Sequence, residues 1–64
     1  MRTTAFRTLM NDEFGELRAG SIARDHVFAD LGGRTVEQAL VAGVEPTRIW
    51  LAVCDAFDVP PQRR

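Results

Sequence analysis

Apolar residues recur along this chain at steps of three and four, the spacing that lines one face of an α-helix. Phe6, Leu9, Met10 and Phe14 form the first such stripe, and Gly15 ends it. Thr3 or Thr4 supplies a hydroxyl to cap the first turn. Leu17, Ile22, Ala23, Val27 and Leu31 make a second stripe, predicting a helix from Glu16 to Leu31. Gly20-Ser21 weakens its beginning, so Ser21 is an alternative start. Gly32-Gly33 then provides a left-handed cap and a reversal, because glycine takes positive φ without steric cost.

Thr35-Val36-Glu37-Gln38 fits a capping box, in which the Thr35 hydroxyl and the Gln38 side chain each satisfy a free amide at a helix start. The short third helix that follows turns Val36, Ala39 and Leu40 inward and closes at Gly43. Pro46 opens a fourth helix, where its missing N–H costs nothing. Ile49, Trp50, Val53, Cys54 and Phe57 extend that helix, and Pro60-Pro61 stop it.

These elements predict an all-α fold, a compact bundle of about four short helices in one domain over residues 1–64. The expected core is Phe6, Leu9, Phe14, Val27, Leu31, Leu40, Val44, Ile49, Val53 and Phe57. Ala39, Gly43-Val44 and Ile49 also carry the spacing of a helix-turn-helix. A small residue stands where two helices cross, a glycine where the turn needs positive φ, and branched residues where the second helix locks on. Any tightly turned helix pair meets the same demands, so the last two helices are expected to be helix-turn-helix-like, and DNA binding does not follow from that.

Charge narrows the partner class only a little. Eight arginines, with no lysine, face nine acids for a net charge of −1, which exerts no general pull on nucleic acid or anionic lipid. Cys54 is the only cysteine, so neither a disulfide framework nor a multi-cysteine zinc site can form within the chain. The first residues lack the apolar run of a signal peptide, and no later stretch approaches the roughly 20 apolar residues of a membrane span. A cytoplasmic protein is expected.

Candidate chemistry is sparse. Arg24-Asp25-His26 sets an acid beside a histidine, but consecutive helical residues point about 100 degrees apart, so Asp25 cannot orient His26 for general-base work. One His and one Cys fall short of a protein-built metal site. No catalytic, metal or cofactor residue is therefore expected. Gly32-Gly33-Arg34-Thr35 resembles a minimal anion cradle, yet it follows a helix and lacks the spacing of a phosphate-binding loop.

For DNA, the fourth helix offers Thr47 and Arg48 beside Glu45, with Arg34 and Arg63-Arg64 as candidate backbone contacts. Trp50 lies off the main stripe of its helix. Either that helix is wrapped on two sides and buries the indole, or Trp50 anchors a partner together with Leu51 or Val41.

Taken in order, Arg24-Asp25-His26-Val27, Leu31-Gly32-Gly33-Arg34-Thr35, Ala42-Gly43-Val44-Glu45-Pro46 and Trp50-x-x-Val53-Cys54 resemble a small actinobacterial family of unknown function. The likeness covers nearly the whole chain. It implies a bacterial protein, often encoded near the RecA recombinase and its regulator RecX, and supplies no site residues. The leading expectation is a non-enzymatic interaction module that binds a protein partner or itself. The alternative is a DNA-binding helix-turn-helix protein.

Overall fold

A computed structural model describes residues 1–64 as helices α1 (Thr3–Phe14), α2 (Glu16–Asp25), α3 (Val36–Val41) and α4 (Pro46–Ala56), with 3-10 turns at Ala29–Leu31 and Pro61–Arg63. No strand forms; one antiparallel bridge joins Phe28 to Arg34. The all-α expectation holds. α1 packs on α2 and α4, while α3 sits against both α2 and α4.

The caps explain most of the boundaries. Thr35 accepts from the Gln38 N–H at 3.1 Å and Gln38 Oε1 accepts from the Thr35 N–H at 2.9 Å, so the capping box is formed. Gly43, at φ +83, lets Val44 N–H reach back to the Ala39 carbonyl and Gly43 N–H to that of Leu40, closing α3 with a Schellman turn. α4 ends the same way. There Asp58 takes the left-handed position at φ +55 and Val59 N–H donates to the Cys54 carbonyl. That turn, and not Pro60-Pro61, is what stops α4. α1 needs no threonine cap: Arg2, in extended backbone, precedes it, and its carbonyl accepts from Phe6 N–H while its side chain takes no part. Thr8 donates to the Thr4 carbonyl instead.

The largest departure from the expected pattern is in α2. The helix starts at Glu16, accommodates Gly20-Ser21, and ends at Asp25, not at Leu31. His26 through Phe28 turn extended so that Phe28 N–H donates to the Arg34 carbonyl at 3.0 Å and Gly33 N–H returns to that of Phe28. Gly32-Gly33 consequently cap a 3-10 turn, not a helix. The break sends Phe28 into the core and turns Val27 out, where it is 56% exposed. Val27 is not a core residue. Helical spacing pairs Val27 with Leu31, but the larger ring gains more by burial and takes the inward place.

Phe6, Met10, Ile22, Phe28, Leu31, Val36, Ile49, Trp50, Val53, Cys54 and Val59 are buried, with Ala19, Ala23, Ala39 and Ala52 filling close approaches between elements. Leu9, Phe14, Leu40, Val44 and Phe57 pack at the margin of this core. Trp50 sits at its centre, 1% exposed, with the Phe6 ring edge-on at 6.4 Å.

The tail is strapped down by two arginines. Arg63 makes a two-pronged pair with Glu13 of α1, at 2.9 and 3.1 Å. Arg64 reaches Asp55 at 2.6 Å and caps the Val59 and Cys54 carbonyls. The Arg63 hydrogen bonds hold the Glu13 carboxyl below its ordinary value, outweighing partial desolvation, and the same pairing raises Arg63.

Two predictions follow from this packing. Ile49→Ala should destabilise the domain by about 2–5 kcal/mol, whereas Val27→Ala should cost less than about 0.5 kcal/mol, both read from denaturant unfolding. The second concerns pH. Because Glu13 titrates lower in the folded state, the strap is fully formed above the ordinary glutamate range and is lost as pH falls through the depressed folded value. Acid titration followed by the Arg63 Nε–H resonance should show that loss, and Arg63→Ala should move the Glu13 carboxyl titration upward.

Candidate docking surface

α3 and α4 are joined by the Gly43 turn, but the face that would meet DNA is poorly charged. Glu45 occupies the N-cap of α4 and accepts from Thr47 N–H at 2.9 Å, so that amide is spent within the chain. Partial burial pushes the Glu45 carboxyl up, and hydrogen bonds from the chain's amino terminus and Thr47 outweigh it, leaving a net downward displacement. Arg48 is the one cation on this helix.

The other arginines expected to help are engaged elsewhere. Arg34 donates to the Leu31 carbonyl at 3.1 Å, and its guanidinium lies over Gly32. Arg63 and Arg64 form the tail strap, and Arg7 makes a two-pronged pair with Glu37 at 2.6 and 3.2 Å. Arg34 and Arg48 remain exposed and make no ion pair, whereas the charges of Arg63 and Arg64 are paired with Glu13 and Asp55.

Trp50 is not a surface anchor, because α4 is covered on two sides and the indole is enclosed. Its Nε1–H has no partner, so its burial rests on packing alone. The other two proposed anchors are on the surface but apart from it. Val41, 90% exposed, stands at the end of α3 over a shallow depression of about 340 Å³ shared with Glu37, Gln38 and Ala42. Leu51 is 47% exposed on the outer face of α4. Leu17 of α2 is also almost wholly exposed.

A second, more structured surface follows from the break after α2. Between the extended segment and α4 lies a groove of about 270 Å³, lined by His26, Val27, Asp30, Ala52, Asp55 and Ala56 among others. Leu51 precedes Asp55 by one helical turn and so lies on the same side of α4, next to the groove lining and not part of it. The segment is held by an aromatic stack. The His26 ring lies 4.5 Å from Phe28 and 5.0 Å from Phe57, Phe57 lies 5.4 Å from Phe14, and the Arg18 guanidinium covers Phe14 and Phe57 at 5.7 and 5.9 Å.

This arrangement occupies His26 and Cys54, the two residues with reactive side-chain chemistry. His26 stacks on rings instead of pairing with Asp25; burial raises the Cys54 thiol and disfavours its thiolate, outweighing the opposite pull of the Arg64 cation. No His, Cys, Asp and Glu side chains cluster in a metal-binding set of three or more. No helix is long and apolar enough to cross a membrane. Neither Val27 nor the groove is evident in the sequence pattern, because both depend on where α2 ends.

Comparison with known proteins agrees with the likeness seen in the residues. A 36-residue stretch is 50% identical to part of a putative envelope-preserving system protein of Mycobacterium tuberculosis, covering 56% of this chain and 13% of that protein. No solved structure matches. The model of the DUF3046 family, described as proteins of unknown function, matches residues 1–62, and the chain belongs to that family.

Proposed function

We propose that this domain is a non-catalytic docking module that binds a protein partner through the groove beside α4. The observation that carries the proposal is Val27, a large apolar side chain of the groove lining left 56% exposed although the core closes without it, with exposed Leu51 one helical turn before the groove's Asp55 on α4. On so small a domain, apolar surface of this kind costs solubility and is best accounted for by a partner that covers it. The matched stretch inside a much longer mycobacterial protein supports the reading, since a docking unit keeps its use when joined to other domains. That protein's name ties it to envelope preservation; for this chain the proposal takes only the recurrence of a 36-residue stretch, 56% of the domain. With its single thiol buried and unpaired, the module suits the reducing cytoplasm.

DNA binding through α4 is the competing reading, and the engaged arginines weigh against it. The test takes a partner recovered by cross-linking, purifies it, and measures its affinity for the domain and for a charge-neutral Val27→Ser/Leu51→Ser variant. Both forms should show the same helical circular dichroism, and the variant should bind about tenfold or more weakly. An unchanged affinity overturns the proposal. So does saturable binding of duplex DNA that falls steeply with salt, or a concentration-dependent dimer that the variant abolishes.

A further inference from the structure

The groove carries more than apolar surface, because the extended segment along its wall has an unpaired backbone edge. Phe28 spends its N–H on Arg34, and its carbonyl accepts from Leu31 and Gly33. In extended backbone, the N–H and C=O of successive residues point to opposite sides. Those of Val27 thus face away from the Arg34 segment, and neither makes a hydrogen bond within the chain. An exposed edge of this kind is a template for one more extended segment.

Charge says what kind of segment fits. The titratable groups lining the groove are His26, Asp30 and Asp55. Asp30 has no ion pair or side-chain hydrogen bond, and no lysine or arginine lines the groove. Asp55 is held by one guanidinium, that of Arg64, at 2.6 Å. Arg64 reaches in from the chain's own tail and also bonds the Val59 and Cys54 carbonyls, so an arginine is already seated at the edge of the surface.

We infer that the groove receives an extended, basic peptide segment, whose backbone pairs with Val27 and whose cationic side chains meet Asp30 and Asp55. An apolar side chain of the segment packs against Val27. Arg64 then acts as an internal competitor for Asp55. This inference rests on the docking role proposed above and adds the chemistry of the partner.

The probe is an end-capped heptapeptide of alternating valine and arginine, with the alternating valine and glutamate peptide as its counterpart. Each is titrated into the isotope-labelled full chain while amide chemical shifts are followed. The basic peptide should give saturable shifts centred on Val27, Asp30 and Asp55, and the Val27 amide should become protected from hydrogen exchange. The acidic peptide should leave them unmoved. Arg64→Ala should tighten binding about two- to fivefold, and Asp30→Asn should weaken it by a similar factor, the range expected for one exposed ion pair.

A tail arginine with only a structural role would not give tighter binding on removal. Equal binding of both peptides, no change at the Val27 amide, or weaker binding after Arg64→Ala overturns the inference. Partner binding that is lost in the Val27→Ser/Leu51→Ser variant yet unaffected by Asp30→Asn overturns it while leaving the docking role in place.

Discussion

The burial of Trp50 is the constraint on which the rest of the arrangement depends. Ile49, Trp50, Val53 and Cys54 are all enclosed, and at about 100 degrees per residue they span a wide arc of α4. One flat layer of helices cannot cover that arc. α1 must therefore lie along one side, bringing Phe6 edge-on to the indole, while α3 and the 3-10 turn after α2 close the others. The unpartnered Nε1–H shows how strongly packing dominates: an unsatisfied buried donor costs about 1–3 kcal/mol, and the ring is enclosed nevertheless.

With so few residues, a covering layer must come from every available segment. A domain of this size buries only about 60% of its unfolded surface, so it cannot leave a large ring outside. Phe28 meets that need at the expense of helix α2, which stops at Asp25 so that the ring can turn inward. The lost helical hydrogen bonds are replaced locally by the Phe28–Arg34 bridge, the Arg34 guanidinium on the Leu31 carbonyl and the His26 stack. Two ion-paired arginines do the equivalent work for the tail, which has no apolar residue beyond Val59 other than its prolines.

Which features were legible in the sequence follows from whether local chemistry or tertiary competition decides them. The capping box at Thr35, the Gly43 turn and Pro46 at the start of α4 are local, and each stands as its residues imply. The Ile49, Val53 and Phe6 stripes are legible because periodicity reports them directly. The end of α2 is not local. Val27, Phe28 and Leu31 suit a continuing helix, and only competition for the place beneath α4 selects Phe28 over Val27. Asp58 was missed for another reason: a left-handed C-cap is expected at glycine, and aspartate takes it less often. Among the candidate anchors, Trp50 and Leu51 are adjacent in sequence yet lie on opposite sides of the core boundary, a distinction that depends on how much of α4 is covered.

The same competition produces the candidate site. Had α2 continued to Leu31, Val27 would lie in the helix with its N–H bonded one turn back, and no unpaired edge would remain there. Ending the helix early exposes Val27, frees its backbone groups and opens the space beside Ala52, Asp55 and Ala56. The groove is thus a consequence of enclosing Phe28 and Trp50, and the site and the core share one origin. Val27 and Asp30 lie outside the core, so substitutions there should leave it intact, whereas a change at the buried Phe28 should alter core and groove together. Selection on the core alone would keep Phe28 and leave Val27 free to become polar. The exposed valine of the groove wall is therefore a by-product of the fold that the core does not require, and it is the surface feature on which the proposed docking role rests.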